Sequence, residues 1–197
     1  MESLSSSFNV MPVTTEEKGM LQLYETLRHK TKGLSATNPS PQSTGRQILA
    51  LVGWLALCFT ASGTAAFVST DGWYAGLHKP AWNPPDWIFG PVWTLLYVMM
   101  AVAAWRVWRE GGWKKQGRAL GWFLLQWLLN ALWTPLFFGL HRSGLALAEI
   151  IALWLALAVT LRSFWRVRKT AGVLLGPYLV WVSFAAVLNF TIWRLNP

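Results

Sequence analysis

Five apolar segments of about twenty residues each constrain this chain more than any other feature. Their approximate limits are 48–68, 88–108, 119–139, 144–164 and 172–193. A helix rises about 1.5 Å per residue, so each segment reaches roughly 30 Å, the thickness of the hydrocarbon core of a bilayer. Only 13% of the residues are charged, against about 25% in a soluble domain. The pattern predicts an all-α fold, an integral membrane bundle of five transmembrane helices over residues 47–197.

Basic residues are distributed unevenly among the loops that join these segments. Five Lys and Arg residues precede residue 48, five lie in 106–118 and four in 162–169, whereas the 69–87 loop, the third loop and the C-terminus hold one each. Because inside loops carry an excess of Lys and Arg, the N-terminus and the second and fourth loops are predicted to lie inside. The first loop, the third loop and the C-terminus are predicted outside. Membrane topology therefore explains the net charge of +9 without a nucleic-acid partner.

Residues 1–46 form a polar extension. Within it, Thr14 and Glu17 have capping-box spacing, and apolar residues recur at a helical period as far as Lys30, which favours a short helix. Such a helix would lie on a surface or bind a partner. The alternative is a weakly ordered tail, since a short helix without packing is marginal in water. Residues 38–45, NPSPQSTG, are typical of a linker.

The first loop is crowded with tryptophan and proline. Four prolines between residues 80 and 91 fix their own φ and bias the preceding residues toward extended geometry, so Trp82 and Trp87 are attached to a stiff backbone. Rigid aromatic rings bury roughly 150–250 Å² each and can close over a flat apolar ligand. The loop is therefore predicted to be a lid. For any single tryptophan of the fifteen, the alternative is packing or an interfacial belt.

The third apolar segment carries polar and aromatic residues on one helical face. These are Gln126, Asn130, Trp133 and Phe137. Amides are costly in hydrocarbon unless they are paired, so this face is predicted to look into the bundle. There Asn130 would either bond a neighbouring helix or contact a ligand.

The fifth segment places Trp181, Ala185, Leu188 and Asn189 on a common face. A bulky ring followed by a small residue one turn later leaves concave space, which suits an apolar ligand. Glu149 is the acidic residue well inside the fourth segment. It is a functional candidate by default, or else a solvated group near a helix end where the helix dipole favours it. No catalytic constellation and no cluster of metal ligands can be assembled from the sequence.

Small residues recur every four positions along the fourth segment, at Gly144, Ala148, Ala152, Ala156 and Thr160. A stripe of small side chains lets helix backbones approach closely. It could form a seam inside the bundle or a contact between two copies of the chain. The internal seam is the favoured interpretation.

Three ordered motifs resemble a known family, the translocator proteins, also called tryptophan-rich sensory proteins or TspO. They are WYAGLHKPAWNPPDWIFGPVWTLLY at 73–97, NALWTPLFFG at 130–139 and PYLVWVSFAAVLNFTIWRLN at 177–196. The resemblance covers about residues 48–196. It implies a five-helix membrane bundle, often a homodimer, that binds porphyrins, sterols and synthetic isoquinoline or benzodiazepine-type ligands under the first loop.

The resemblance also implies which residues contact the ligand. Trp73, Tyr74 and Trp82 would belong to the roof, Asn130 and Trp133 would line the third helix, and Trp181, Ala185 and Leu188 the fifth. Glu149 has a counterpart in the family. One departure concerns sterols: the C-terminal pattern credited to cholesterol-binding members needs a tyrosine, and this chain has Phe190 between Leu188 and Arg194.

Three functional hypotheses follow. The first is a membrane receptor or carrier for porphyrins and other haem-type tetrapyrroles, and for related flat apolar ligands such as sterols. The carboxylates of a porphyrin could meet His78 or Lys79. It requires no obligatory cofactor, no metal and no catalytic residue. The second is a porphyrin-degrading enzyme driven by light or an oxidant. The third is a membrane scaffold that acts through the N-terminal extension.

Overall fold

The computed structural model describes residues 14–35, 44–66 and 72–196. The helices are α1 (Thr15–Ser35), α2 (Thr44–Ala66), the one-turn α3 (Trp73–Gly76), α4 (Phe89–Trp108), α5 (Gly112–Thr134), α6 (Ser143–Val167) and α7 (Lys169–Leu195). A 3-10 turn at Asp86–Ile88 precedes α4, and a π-helical turn at Pro135–Gly139 follows α5. The described residues form two compact units, α1 and the remainder of the chain.

Among the described residues, five helices, α2 and α4 to α7, are long and apolar enough to cross a membrane. A helix pairs its backbone N–H and C=O groups internally, and this is required in a membrane because lipid chains offer no hydrogen-bond partners. The prediction of an all-helical bundle with five transmembrane helices is confirmed. Two of the helices begin earlier than predicted, α5 at Gly112 rather than 119 and α7 at Lys169 rather than 172. Residues 67 and 68, predicted to end the first span, lie outside the described residues.

The predicted helix in the N-terminal extension is present as α1, and its capping box forms. The Thr14 backbone N–H donates to Glu17 Oε2 at 3.0 Å, and the Glu17 N–H donates to Thr14 Oγ1 at 3.3 Å. Each side chain thereby satisfies a backbone donor that the first turn would leave unpaired. Most of the predicted linker, residues 38–43, lies outside the described residues.

Tryptophan N–H groups join helices of the bundle by bonding to backbone carbonyls. Trp105 Nε1 on α4 donates to the Gln47 carbonyl of α2 at 3.0 Å, and Trp127 Nε1 on α5 donates to the Leu57 carbonyl of α2 at 2.9 Å. A buried indole N–H needs a partner, and these two find it across a helix interface. For these residues packing, not a lid or a belt, is the observed role.

The turn between α4 and α5 depends on glycine. Gly111 has φ +116° and Gly112 has φ +63°, which L side chains rarely adopt. In the α6–α7 hairpin a single residue, Arg168, separates the two helices. The start of α7 lies so close to α6 that a Cβ on Gly172 would approach the Cα of Trp165 to 3.0 Å.

The stripe of small residues on α6 is an internal seam only at its two ends. A Cβ on Gly144 would come within 2.9 Å of Trp193 Nε1 on α7, and Ala156 and Thr160 are buried. Ala148 and Ala152, between them, are exposed. The seam interpretation is therefore wrong for the middle of the stripe, because the α6–α7 contact leaves that part of α6 uncovered.

Candidate functional site

A cavity of about 660 Å³ lies between α2, α4, α5, α6 and α7, with residues of the first loop at its mouth. Most of its lining is apolar, and aromatic rings supply two of its walls. Apolar walls with a few placed polar groups are typical of small-molecule sites, which measure about 300–1,000 Å³.

One aromatic wall is built by α4 and α7. The ring of Phe89 meets that of Trp181 edge to face at 5.8 Å, and Trp181 contacts Phe184 at 5.6 Å. Further into the bundle Trp93 stacks on Tyr97 at 5.4 Å. Such contacts hold the rings in fixed orientations, so the wall is preformed.

The facing aromatic wall comes from α5 and the π-helical turn. Trp133 stacks on Phe137 at 5.0 Å with 17° between the planes, and Phe137 meets Phe138 edge to face at 4.9 Å. The turn shifts the register of the helix at Pro135, where the Leu140 N–H donates to the Pro135 carbonyl at 2.9 Å. The wider turn brings Phe137 and Phe138 to the cavity together.

Polar groups in the cavity lining are paired between helices. The Tyr97 hydroxyl donates to Asn130 Oδ1 at 3.3 Å, which links α4 to α5. Trp133 Nε1 donates to Asn189 Oδ1 at 3.2 Å, and Asn189 Nδ2 donates to the Ser143 carbonyl at 2.8 Å. The predicted inward faces of the third and fifth spans are thus observed, and Asn130 both bonds another helix and lines the cavity.

The mouth of the cavity carries charged and polar groups of the first loop. Lys79 Nζ lies 4.2 Å above the Tyr74 ring, and the Tyr74 hydroxyl donates to Asn83 Oδ1 at 3.2 Å. Burial raises the pKa of Tyr74, the hydrogen bond to Asn83 opposes the rise, and the Asp86 carboxylate adds to it. The hydroxyl is therefore protonated at neutral pH and available to donate.

The C-terminal end of α7 holds the first loop by two hydrogen bonds. The His78 backbone N–H donates to Asn196 Oδ1 at 2.9 Å, and Asn196 Nδ2 donates to the His78 carbonyl at 3.0 Å. One amide side chain thus pairs with both backbone groups of a single loop residue. His78, predicted as a possible secondary ligand contact, is an exposed residue whose backbone anchors the loop.

Seven of the predicted ligand contacts line the cavity. They are Tyr74, Lys79, Asn130, Trp133, Trp181, Ala185 and Leu188. These residues lie far apart in sequence, and the bundle brings them together.

Four predicted contacts lie outside the cavity lining. Trp73 stacks on His141 at 4.4 Å and meets Phe137 edge to face, so it supports the wall from behind. Trp82 is 47% exposed and packs on the outer side of Phe184. His78 anchors the loop as described. Glu149 precedes the lining residue Ile150 in sequence, but is not itself part of the lining.

The Glu149 carboxylate is not solvated, contrary to the interpretation that treated it as a group near a helix end. Both of its oxygens are buried, and neither has a hydrogen-bond partner among the described residues. Glu149 lies in the second turn of α6, which begins at Ser143. The carboxyl group is therefore inside the bundle, where ionisable groups mark functional sites by default.

Sequence reasoning missed the contribution of α4. Phe89, Trp93 and Tyr97 recur every four residues and all line the cavity. Aromatic residues at that spacing share one helical face, so the signal was present in the sequence. Two further residues of the cavity lining were missed as well. They are Phe184, which contacts Trp181, and Asp86 in the first loop.

The comparisons with known proteins agree with this architecture. The profile of the TspO/MBR family matches residues 48–194. The chain is 44% identical to the tryptophan-rich sensory protein of Cereibacter sphaeroides over 143 residues, which cover 73% of this chain and 89% of that protein. The chain belongs to the TspO/MBR family. It is also 44% identical to the tryptophan-rich protein TspO of Chlorobaculum tepidum over 157 residues, 77% of this chain and 99% of that protein.

The family extends to animals. Over 143 residues, the chain is 41% identical to the translocator protein of Homo sapiens, with 71% of this chain and 83% of that protein covered. The chain is accordingly a multi-pass integral membrane protein of the TspO/MBR family. The matched segment contains every cavity-lining helix, whereas α1 precedes it.

Proposed function

We propose that the protein is a membrane receptor or carrier that binds porphyrins and related flat apolar ligands in the cavity between α2, α4, α5, α6 and α7. The observation that carries the proposal is the pair of facing aromatic walls, one around Trp181 and one around Trp133. Flat conjugated molecules gain from stacking on such rings, about 0.5–1.5 kcal/mol per aromatic pair beyond the buried area.

The charges at the mouth favour a ligand with a polar edge. Lys79 holds its ammonium group over the Tyr74 ring at the lining of the cavity. A porphyrin inserted between the walls could turn its propionate carboxylates toward this cation, while its ring system remains against apolar surface. The proposal places the carboxylates at Lys79, not at His78.

Sterols are weaker candidates by the same reasoning. Leu188 lines the cavity, but Phe190 is 49% exposed and packs on Trp193 on the outer surface of α7. The C-terminal pattern credited to cholesterol-binding members therefore does not present one continuous surface in this chain. A sterol would have to use the aromatic walls alone.

Replacing Trp181 by alanine is the test of the proposed site. Trp181→Ala removes the ring at the centre of one wall, so we expect the dissociation constant for protoporphyrin to rise roughly 10- to 100-fold, through lost burial and stacking. The measurement is a titration of the purified protein in the dark, followed by the shift of the porphyrin absorption band.

Trp87→Ala is the matched control, because the Trp87 side chain belongs to the first loop region and is 73% exposed. It should bind protoporphyrin like the unchanged protein. Equal affinities in all three proteins, with helicity retained by circular dichroism, would contradict the assignment of the cavity as the porphyrin site. Multiple turnover to a defined product in the dark would instead favour the porphyrin-degrading enzyme.

A homodimer belongs to the same proposal, since the family resemblance implies one. Ala148 and Ala152 expose small side chains on α6, where a second helix could approach closely. Light scattering of the detergent-solubilised protein measures the mass directly.

A further inference from the structure

Helix α1 carries an apolar face that its own unit does not cover. Met20, Leu23, Tyr24 and Leu27 lie within about 100° of one another at 100° per residue, and their side chains are 53–68% exposed. The opposite side of the helix holds Lys18, Glu25 and His29. This division predicts a helix that lies at a boundary between water and an apolar phase.

The cations of α1 are placed where a bilayer surface would attract them. Arg28 and Lys30 flank the apolar face on its two sides at helical spacing, and Lys32 follows. Over Thr26–Ser35 the helix has these three cations and no acidic residue, while Glu16, Glu17 and Glu25 lie nearer the N-terminus. Long basic side chains beside an apolar face can keep their stems in the interface and their charges at lipid phosphates.

The chain length limits how far α1 can be from the bilayer. Helix α1 ends at Ser35 and the membrane helix α2 begins at Thr44, so eight residues separate them. At about 3.3–3.6 Å per residue, this separation spans at most roughly 30 Å. The apolar face is therefore held permanently at high local concentration near a membrane surface.

We propose that α1 lies flat on the bilayer surface from which α2 enters, with its Met20–Leu27 face in the boundary between headgroups and acyl chains and its C-terminal cations on anionic phospholipids. The occupant of the exposed face is thus lipid. This role is independent of porphyrin binding, since it uses residues outside the segment that matches the family.

The test compares two positions on opposite faces of α1 in the full-length protein. Cys58 is the chain's one cysteine, so Leu27→Cys and His29→Cys are each made in a Cys58→Ala background and labelled with the polarity-sensitive fluorophore NBD. The labelled proteins are reconstituted into vesicles of phosphatidylcholine with 30% phosphatidylserine. Residues 27 and 29 differ by about 200° around the helix.

We expect the label at position 27 to be blue-shifted and strongly quenched by doxyl-labelled lipid, and the label at position 29 to be quenched several-fold less. Vesicles of phosphatidylcholine alone should reduce the quenching at position 27, because the cations then lose their partners. Adding Leu23→Glu should abolish the lipid quenching at position 27, while circular dichroism should show unchanged helicity.

Two outcomes would overturn the proposal. Weak lipid quenching at both positions, with a water-exposed emission at 27, would mean that the face stays in solvent. A blue-shifted label at 27 that doxyl lipid does not quench would mean that protein covers the face, either the bundle, a second copy or another protein. Neither outcome bears on the cavity, which the porphyrin titration tests separately.

Discussion

At the scale of single residues, the tryptophans of the bundle have two roles: their N–H groups join helices by hydrogen bonds, and their rings line the cavity. Trp105 and Trp127 bond backbone carbonyls of α2, and Trp154 Nε1 donates to the Ser183 hydroxyl of α7 at 2.8 Å. These indoles join helices in a setting where apolar contact with lipid is as good as contact with protein. Trp133 performs both tasks, since its N–H bonds Asn189 while its ring faces the cavity.

Gly172 and Gly176 provide a matched pair for measuring how closely α6 and α7 must approach. A Cβ on Gly172 would lie 2.8 Å from the Trp165 ring, whereas a Cβ on Gly176 meets nothing within 4 Å. We expect Gly172→Ala to lower stability by about 1–3 kcal/mol, because the hairpin must open to relieve the overlap. Gly176→Ala should be neutral or stabilising by up to about 1 kcal/mol. Thermal unfolding in detergent, followed by circular dichroism, measures both, and equal shifts would contradict the argument.

At the scale of elements, the transmembrane helices were predictable because a bilayer demands apolar segments of one length. Their ends were not, since Gly112 to Arg118 of α5 is a basic, polar stretch that is nevertheless helical. The π-helical turn at Pro135–Gly139 was also missed, although it sets the positions of Phe137 and Phe138. A π-helical turn of five residues does not change the spacing of apolar residues enough to be recognised in the sequence.

The cavity shows a similar division between what was predictable and what was not. Faces of α5 and α7 followed from the spacing of polar and aromatic residues, and the family motifs implied Tyr74 in the roof. Trp82 was expected in the roof over the ligand, and in the structure it meets Phe184 edge to face without being part of the cavity lining. Which side of a loop a ring occupies depends on tertiary contacts, such as the His78–Asn196 pairing, that connect residues 118 positions apart.

The pairing of Asn196 with His78 predicts how the first loop is held over the cavity. Asn196→Ala removes two hydrogen bonds worth about 0.5–1.5 kcal/mol each, so the loop should open more readily. We expect protoporphyrin to dissociate roughly tenfold faster, with a smaller change in the association rate. Stopped-flow displacement measures the dissociation rate.

Thr191→Ala is the control for this experiment, because the half-buried Thr191 hydroxyl bonds only the Val187 carbonyl of its own helix in the described contacts. Its dissociation rate should match that of the unchanged protein. If Asn196→Ala also dissociates at the original rate, the loop is held by other contacts.

At the scale of the whole molecule, the described loops separate into two ends of the bundle. The first loop meets the C-terminal end of α7 through Asn196 at one end. At the other end Arg168, before α7, bonds Glu110 after α4, and Arg106 Nη1 donates to Thr170 Oγ1 at 2.9 Å. The contacts thus group the second and fourth loops, which are also the loops with most of the basic residues.

This grouping turns the charge count into a prediction of orientation. Nine Lys and Arg residues lie in 106–118 and 162–169, so that end should face inside, with Trp87 outside. Trp87→Cys and Lys114→Cys, each with Cys58→Ala, place one exposed thiol at each end. A membrane-impermeant maleimide added to intact cells that express the protein at their surface membrane should label residue 87 at once and residue 114 only after permeabilisation. The reverse order would mean an inverted bundle. Labelling of both residues in intact cells would contradict five transmembrane passes, since α4 must cross the membrane to separate residue 87 from residue 114.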